Sequence, residues 1–163
     1  SMAHPVNPRL GDWCARACES GNIPMQRGGT YLVMEGPQFS TLAESQLYRQ
    51  WNCDVIGMTN MPEAKLAREA EIPYCTVAMV TDYDCWHPDH DNVDVDAVIR
   101  VLLDNADKAR RLVRTVAARL PERPALCPSG DDRALDTALI THPDARDPAM
   151  LTKLDAVAGR ALT

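Results

Sequence analysis

Asp82 and Asp84 stand one residue apart in "YCTVAMVTDYDCW" (74–86), directly after a run of residues suited to burial. Asp disfavours strands, and a buried carboxylate is costly unless it is paired or protonated. The spacing leaves two readings. Either the pair belongs to a solvated loop after a strand, or it is a polar tool at a pocket floor. In the second case burial and a like-charged neighbour keep a proton on one carboxyl, which can then act as a general acid. Other chemistry-bearing groups are weaker candidates. "HPDHD" (87–91) offers imidazoles and carboxylates, but Pro88 breaks any helical face, so a surface loop is expected there. Cys14 and Cys18 lie four apart on an expected helix without a second pair at zinc-finger spacing. Cys53, Cys75 and Cys85 lie in or beside apolar stretches, where a thiol behaves as a small hydrophobe. Reduced thiols and no metal site are expected.

The elements that must hold Asp82 and Asp84 alternate in type. Leu10, Trp13, Cys14, Ala17 and Cys18 recur at helical spacing over 8–20, stopping before Gly21. "GGTYLVMEG" (28–36) reads as a strand closed by glycines. Thr41 and Glu44 form a capping box for "TLAESQLYRQW" (41–51). "CDVIGMT" (53–59) reads as a short strand buried on both faces. "MPEAKLAREAEI" (61–72) reads as a helix with Pro62 in its first turn, and 74–81 as a third strand, also buried. Over 94–120, Val98, Val101, Leu102, Ala106, Ala109, Leu112, Val116 and Leu120 trace the stripe of a long amphipathic helix. Residues 121–132 read as a linker or surface crossing, and two short helices, near 134–139 and 148–161, close the chain. This is α/β grammar, with a central sheet flanked by helices. Ligands in such folds bind at the carboxyl ends of strands. Here the three strands end in "EGPQFS", "GMTN" and "TDYD", each richer in polar or glycine residues than the strand before it, which favours the pocket reading of Asp82 and Asp84.

Composition narrows the partners. The chain has 163 residues, 45% hydrophobic and 25% charged, with net charge −6, so one domain is expected. Lys and Arg are scattered, which argues against nucleic acid. No run approaches the length of a membrane span, and "SMAHPVNPRL" lacks the basic start and apolar middle of a secretory leader. A cytoplasmic protein is expected.

At its three strand ends the sequence resembles a known family. "EGPQFSTLAES", "DVIGMTNMPEAKLAREAEIPY" and "VAMVTDYDCW" are similar to segments of the 5′-methylthioadenosine phosphorylases, in the purine nucleoside phosphorylase superfamily. The likeness runs from about Met2 to Leu120 and weakens beyond Pro121. It implies that the whole chain is the C-terminal part of one nucleoside phosphorylase domain with a mixed central sheet. An N-terminal half would carry the glycine-containing phosphate loop and an Arg–His pair. It implies phosphorolysis of 5′-methylthioadenosine to adenine and 5-methylthioribose 1-phosphate, with inorganic phosphate as co-substrate and no cofactor. It also implies a homotrimer.

By the same resemblance, Phe39 lies against the purine or ribose, and Ser40 stands near the base edge. Met58 packs under the ribose and Thr59 helps hold phosphate. Asp82 addresses purine N7 and Asp84 the exocyclic amine. Val95, Val98 and Ile99 line the 5′-methylthio pocket, although a helical core stripe remains an alternative for Val98 and Ile99. Gln38 departs from the family, many of whose members have Arg there. A carboxylate accepts from a 6-amino group and repels a 6-oxo group, which sets adenine apart from hypoxanthine. The alternatives are a phosphorylase acting on adenosine or 5′-methylthioinosine, and a non-catalytic fragment that binds purine or assembles with the other half. Thr59 alone cannot neutralise a phosphate dianion, so the chain by itself is expected to be incomplete as a catalyst.

Overall fold

Tyr31–Val33 (β1) and Val55–Gly57 (β2) pair in parallel, with Tyr31 opposite Val55, Leu32 opposite Ile56 and Val33 opposite Gly57. The computed structural model describes residues 1–87, 95–122 and 124–162, and of residues 95–98 the backbone alone. The ladder continues past both strands. Asp54 N donates to the Thr30 carbonyl at 2.9 Å, and Met34 N to the Gly57 carbonyl at 2.9 Å. Parallel neighbours need a crossover, which is helix α2 (Leu42–Gln50). The expected capping box starts it. Thr41 Oγ1 accepts from Glu44 N at 3.3 Å, and Glu44 Oε2 accepts from Thr41 N at 2.8 Å. Gly57 is bare for a packing reason, because a Cβ there would strike the Tyr31 hydroxyl and ring.

Helices α1 (Pro8–Ser20), α3 (Asn60–Glu69), α4 (Val95–Arg119) and α5 (Pro148–Leu162) stand close to their expected bounds. Three expectations fail. Residues 74–81 form no strand, and Val77 and Val80 are exposed rather than buried. A strand needs a ladder partner. Here the Val80 carbonyl accepts instead from Asn105 Nδ2 of α4 at 2.9 Å. Residues 134–138 are turns after a 3₁₀ turn at Asp131–Arg133, not a helix. Finally, 121–132 is no simple surface crossing, since Cys127 and Asp131 within it are buried.

The described chain forms two compact units. One comprises Asp12–Asn60 and Val77–Pro121, and the other Ser1–Gly11, Met61–Thr76 and Glu122–Thr163. In the first, Ala17 and Cys18 of α1 bury against Leu112 of α4, with Ile23 and Val116 beside them. The stripe of α4 is thus buried at its centre, while Val101, Leu102 and Leu120 remain exposed.

The second unit is organised by polar side chains. Asn7, almost fully buried, donates from Nδ2 to Asp131 Oδ2 at 2.5 Å and to Ser129 Oγ at 3.1 Å, and lies 2.6 Å from Cys127 Sγ. Arg68 pairs with the other Asp131 oxygen at 2.9 Å. Burial pushes the Cys127 thiol up, but hydrogen bonds from Ser129 and Asn7 outweigh it and bring it below its ordinary range. All six cysteines are free thiols.

Arg160 ties α5 to this unit. Its guanidinium meets Glu71 at 2.6 and 2.5 Å and Asp136 at 2.6 Å, and Arg133 joins Asp136 at 2.8 Å. The Arg160 hydrogen bond holds the Glu71 carboxyl below its usual value of 4.5. A carboxyl depressed on folding stabilises the folded state above its unfolded value, and that contribution is lost as pH falls through the folded one. Protection of the α5 amides, measured relative to their intrinsic exchange rates, is therefore expected to fall as pH drops below 4.5. In Glu71→Gln that protection should be lower at neutral pH and less sensitive to acid. Identical pH profiles in the two proteins would show that the ion pair does not hold the helix.

Candidate functional site

Because β1 and β2 are parallel, the residues that follow them leave the sheet at the same edge, the position where α/β proteins bind ligands. Gly36, with φ +72°, lies after β1 at a point where a Cβ would stand 2.7 Å from the Met58 Sδ after β2. Ser40 Oγ lies 3.8 Å from Met34 Sδ, and the Cys85 thiol donates to the Ser40 carbonyl at 3.4 Å. The stretch bearing Asp82 and Asp84 is thereby tied to the stretch bearing Phe39 and Ser40, all within the first unit.

Asp82 anchors its own turn. Its Oδ2 accepts from Thr81 Oγ1 at 2.8 Å and its Oδ1 from Asp84 N at 2.9 Å. Asp84 takes a left-handed conformation, φ +62°, which Asp tolerates better than most residues. The expected dryness is not there: Asp82 is exposed and Asp84 half-buried. The physical reason is the missing strand. Without a ladder over 74–81, no neighbouring strand among the described residues covers the Asp82 carboxylate.

The remaining candidates are placed as follows. Phe39 is 83% exposed, with the ring of the only Phe in the chain open to solvent. Ser40 and Met58 are half-buried, and Thr59 and Ile99 are exposed. The side chains of Val95 and Val98 lie outside the described residues, as does "PDHD" (88–91). Among the described residues no group of His, Cys, Asp and Glu could hold a metal ion, and no helix is long and apolar enough to cross a membrane.

Three contributors escaped the sequence reading. Asn105 sits beside the apolar stripe of α4 and holds the Val80 carbonyl; a polar residue next to Ala106 was the available signal. Asn60, buried immediately after Thr59, left no signal beyond its place at a strand end. Arg49 lies over the Trp86 ring, 3.6 Å from its centroid, and no spacing rule links those two positions.

Asp82, exposed, and Asp84, half-buried, can accept hydrogen bonds from N–H groups. Phe39 and Met58 offer apolar contact, and Thr59 a hydroxyl. Such a set suits a flat, partly apolar ligand that carries N–H donors.

The phosphorylase superfamily profile matches residues 1–118. The S-methyl-5′-thioadenosine phosphorylase of Rhodospirillum rubrum is 69% identical over 162 residues, 99% of this chain and 55% of that protein. The protein of the same name from Bradyrhizobium diazoefficiens is 66% identical, with 99% and 56% covered. A crystal structure of a methylthioadenosine phosphorylase from an antarctic soil metagenomic library matches with TM-score 0.82 and 43% identity, over 96% of this chain and 55% of that one. The methylthioadenosine phosphorylase from Schistosoma mansoni in complex with adenine matches at TM-score 0.68 and 25% identity, over 82% and 52%. The chain thus spans about half the length of the relatives it matches.

Proposed function

The chain belongs to the phosphorylase superfamily, and on that premise we propose that the polypeptide of which it forms part cleaves 5′-methylthioadenosine with inorganic phosphate. The products are adenine and 5-methylthioribose 1-phosphate. The α/β fold is that of the nucleoside phosphorylases. One observation carries the reaction: near-complete coverage of this chain at 69% identity to a protein of that name.

In this reading phosphate attacks C1′ as the glycosidic bond lengthens through an oxocarbenium-like state, and the purine leaves with a proton on N7. Asp82 donates that proton and Asp84 accepts from the 6-amino group. Met58 and Phe39 flank the ribose and base, with Ser40 at the base edge. Thr59 contributes to the phosphate site, and Val95, Val98 and Ile99 meet the methylthio group. No metal or organic cofactor takes part. The reading extends to a cytoplasmic homotrimer in which the other half of each polypeptide completes the phosphate site.

A second reading, a non-catalytic fragment, is favoured by a specific observation. Phe39, Val77, Val80 and Ile99 are exposed apolar residues of the first unit, which also carries the candidate site. A surface of that kind is one more polypeptide would cover.

Both readings are tested by one assay. The complete polypeptide and the 163-residue chain are each given phosphate with 5′-methylthioadenosine, adenosine or 5′-methylthioinosine, and the released base is quantified. The complete polypeptide should release adenine from 5′-methylthioadenosine most efficiently, and the chain alone should release none. Full activity of the chain alone would end the fragment reading. Preference for 5′-methylthioinosine would end the assignment of Asp82 and Asp84 to adenine.

A further inference from the structure

We infer that Arg49 is a positioning residue for the purine site, acting through Trp86 to set where the turn bearing Asp82 and Asp84 lies. The inference rests on the phosphorylase reading for its purpose and on contacts within the first unit for its geometry. Residues 82–87 include a turn at Cys85 and Trp86, and their aromatic side chains pack on one another. Tyr83 meets Trp86 edge-on at 6.0 Å and stacks on His87 at 4.9 Å, and Trp86 and His87 lie 5.2 Å apart. This knot makes the turn a unit, so a force on Trp86 moves the backbone that carries both carboxylates.

Arg49 supplies such a force from the last turn of α2, the crossover helix of the sheet. Its guanidinium carbon stands 3.6 Å from the centroid of the Trp86 ring, well inside the range of a cation–π contact. The helix is capped by Thr41 and Glu44, whereas residues 74–84 have no ladder of their own. Arg49 therefore refers the position of Asp82 and Asp84 to the same helix that follows Phe39 and Ser40. The Cys85 contact with the Ser40 carbonyl fixes the neighbouring end. A thiol donor is a weak tether, and Asn105 on the Val80 carbonyl holds the chain ahead of the turn, so the stacked guanidinium adds a contact at the far side of the two carboxylates.

Among the described residues Arg49 touches no candidate ligand group, so its effect must appear in how well the base is placed. In the complete polypeptide, Arg49→Met keeps the apolar stem and removes the charge. KM for 5′-methylthioadenosine should rise and kcat/KM should fall by roughly 2- to 5-fold, the range for an exposed cation–π pair, while KM for phosphate stays near wild type. Arg49→Lys should recover part of the loss, because an ammonium also binds the face of an indole. Fluorine NMR of fluorotryptophan-labelled protein, with the Trp86 resonance assigned through Trp86→Phe, should show that resonance shifted in Arg49→Met and less so in Arg49→Lys.

An unmoved Trp86 resonance overturns the inference. So does a fall in kcat with both KM values unchanged, which marks a smaller folded fraction and not a displaced turn. A wild type that releases no adenine sinks the phosphorylase reading instead, and the resonance then decides the latch by itself.

Discussion

Asp82→Asn in the complete polypeptide is expected to lose most turnover on 5′-methylthioadenosine, by roughly 10²- to 10⁴-fold in kcat, the span of general acid catalysis. The variant should fold as wild type does. Asp82 holds its turn by accepting from Thr81 Oγ1 and from Asp84 N. An Asn oxygen accepts the Asp84 amide equally well, and the Thr81 hydroxyl can turn to accept from the new amide nitrogen. What Asn lacks is a proton to give to N7 as the base departs. Its amide does suit a 6-oxo group, so activity on 5′-methylthioinosine should rise relative to 5′-methylthioadenosine. Since Asp82 is exposed in this structure, the water exclusion that an acid role demands must come from the bound nucleoside and the rest of the polypeptide. Asp84→Ala should weaken adenine binding with less damage to kcat. The check is kcat and kcat/KM for paired 6-amino and 6-oxo nucleosides in wild type and both variants. A near-wild-type kcat for Asp82→Asn would remove the acid from Asp82 and return the turn to a solvated loop.

The same residue shows where the amino-acid sequence was legible and where it was not. Local rules read well. The capping box at Thr41 and Glu44, the alternation of helix with short strand, and the ends of α1, α4 and α5 stand where propensity and spacing put them. Those features depend on neighbours in the chain. The strand over 74–81 was read from its apolar run, yet an apolar run states only a wish for burial. Becoming a strand takes a partner ladder, which the described residues do not supply. The exposure of Asp82, Val77 and Val80 follows from that one missing partner. Arg49 over Trp86 and Cys85 on the Ser40 carbonyl were illegible for a different reason. They join positions far apart in the chain through side chains with no periodic signature. A resemblance spread over three segments could name candidate site residues, but it carried no information on what holds them.

Gly36→Ala is expected to damage nucleoside binding although it alters none of the candidate site residues themselves. Gly36 has φ +72°, where an alanine is strained by about 1–2 kcal/mol. Its Cβ would also lie 2.7 Å from the Met58 Sδ and 3.4 Å from its terminal methyl carbon. Methionine is the most adaptable of the large apolar side chains, so Met58 can swing away and the chain still fold. A displaced Met58, however, no longer lies where the proposed ribose contact needs it. Strain and displacement together should raise KM for 5′-methylthioadenosine roughly 10- to 100-fold. KM for phosphate should change much less, because Thr59 follows β2 independently of Gly36. A double-mutant cycle separates the two causes. If Met58 transmits the effect, Gly36→Ala should cost far less in a Met58→Ala background, where no thioether remains to be pushed. Equal penalties in both backgrounds would leave backbone strain as the whole effect and take Met58 out of the ribose floor.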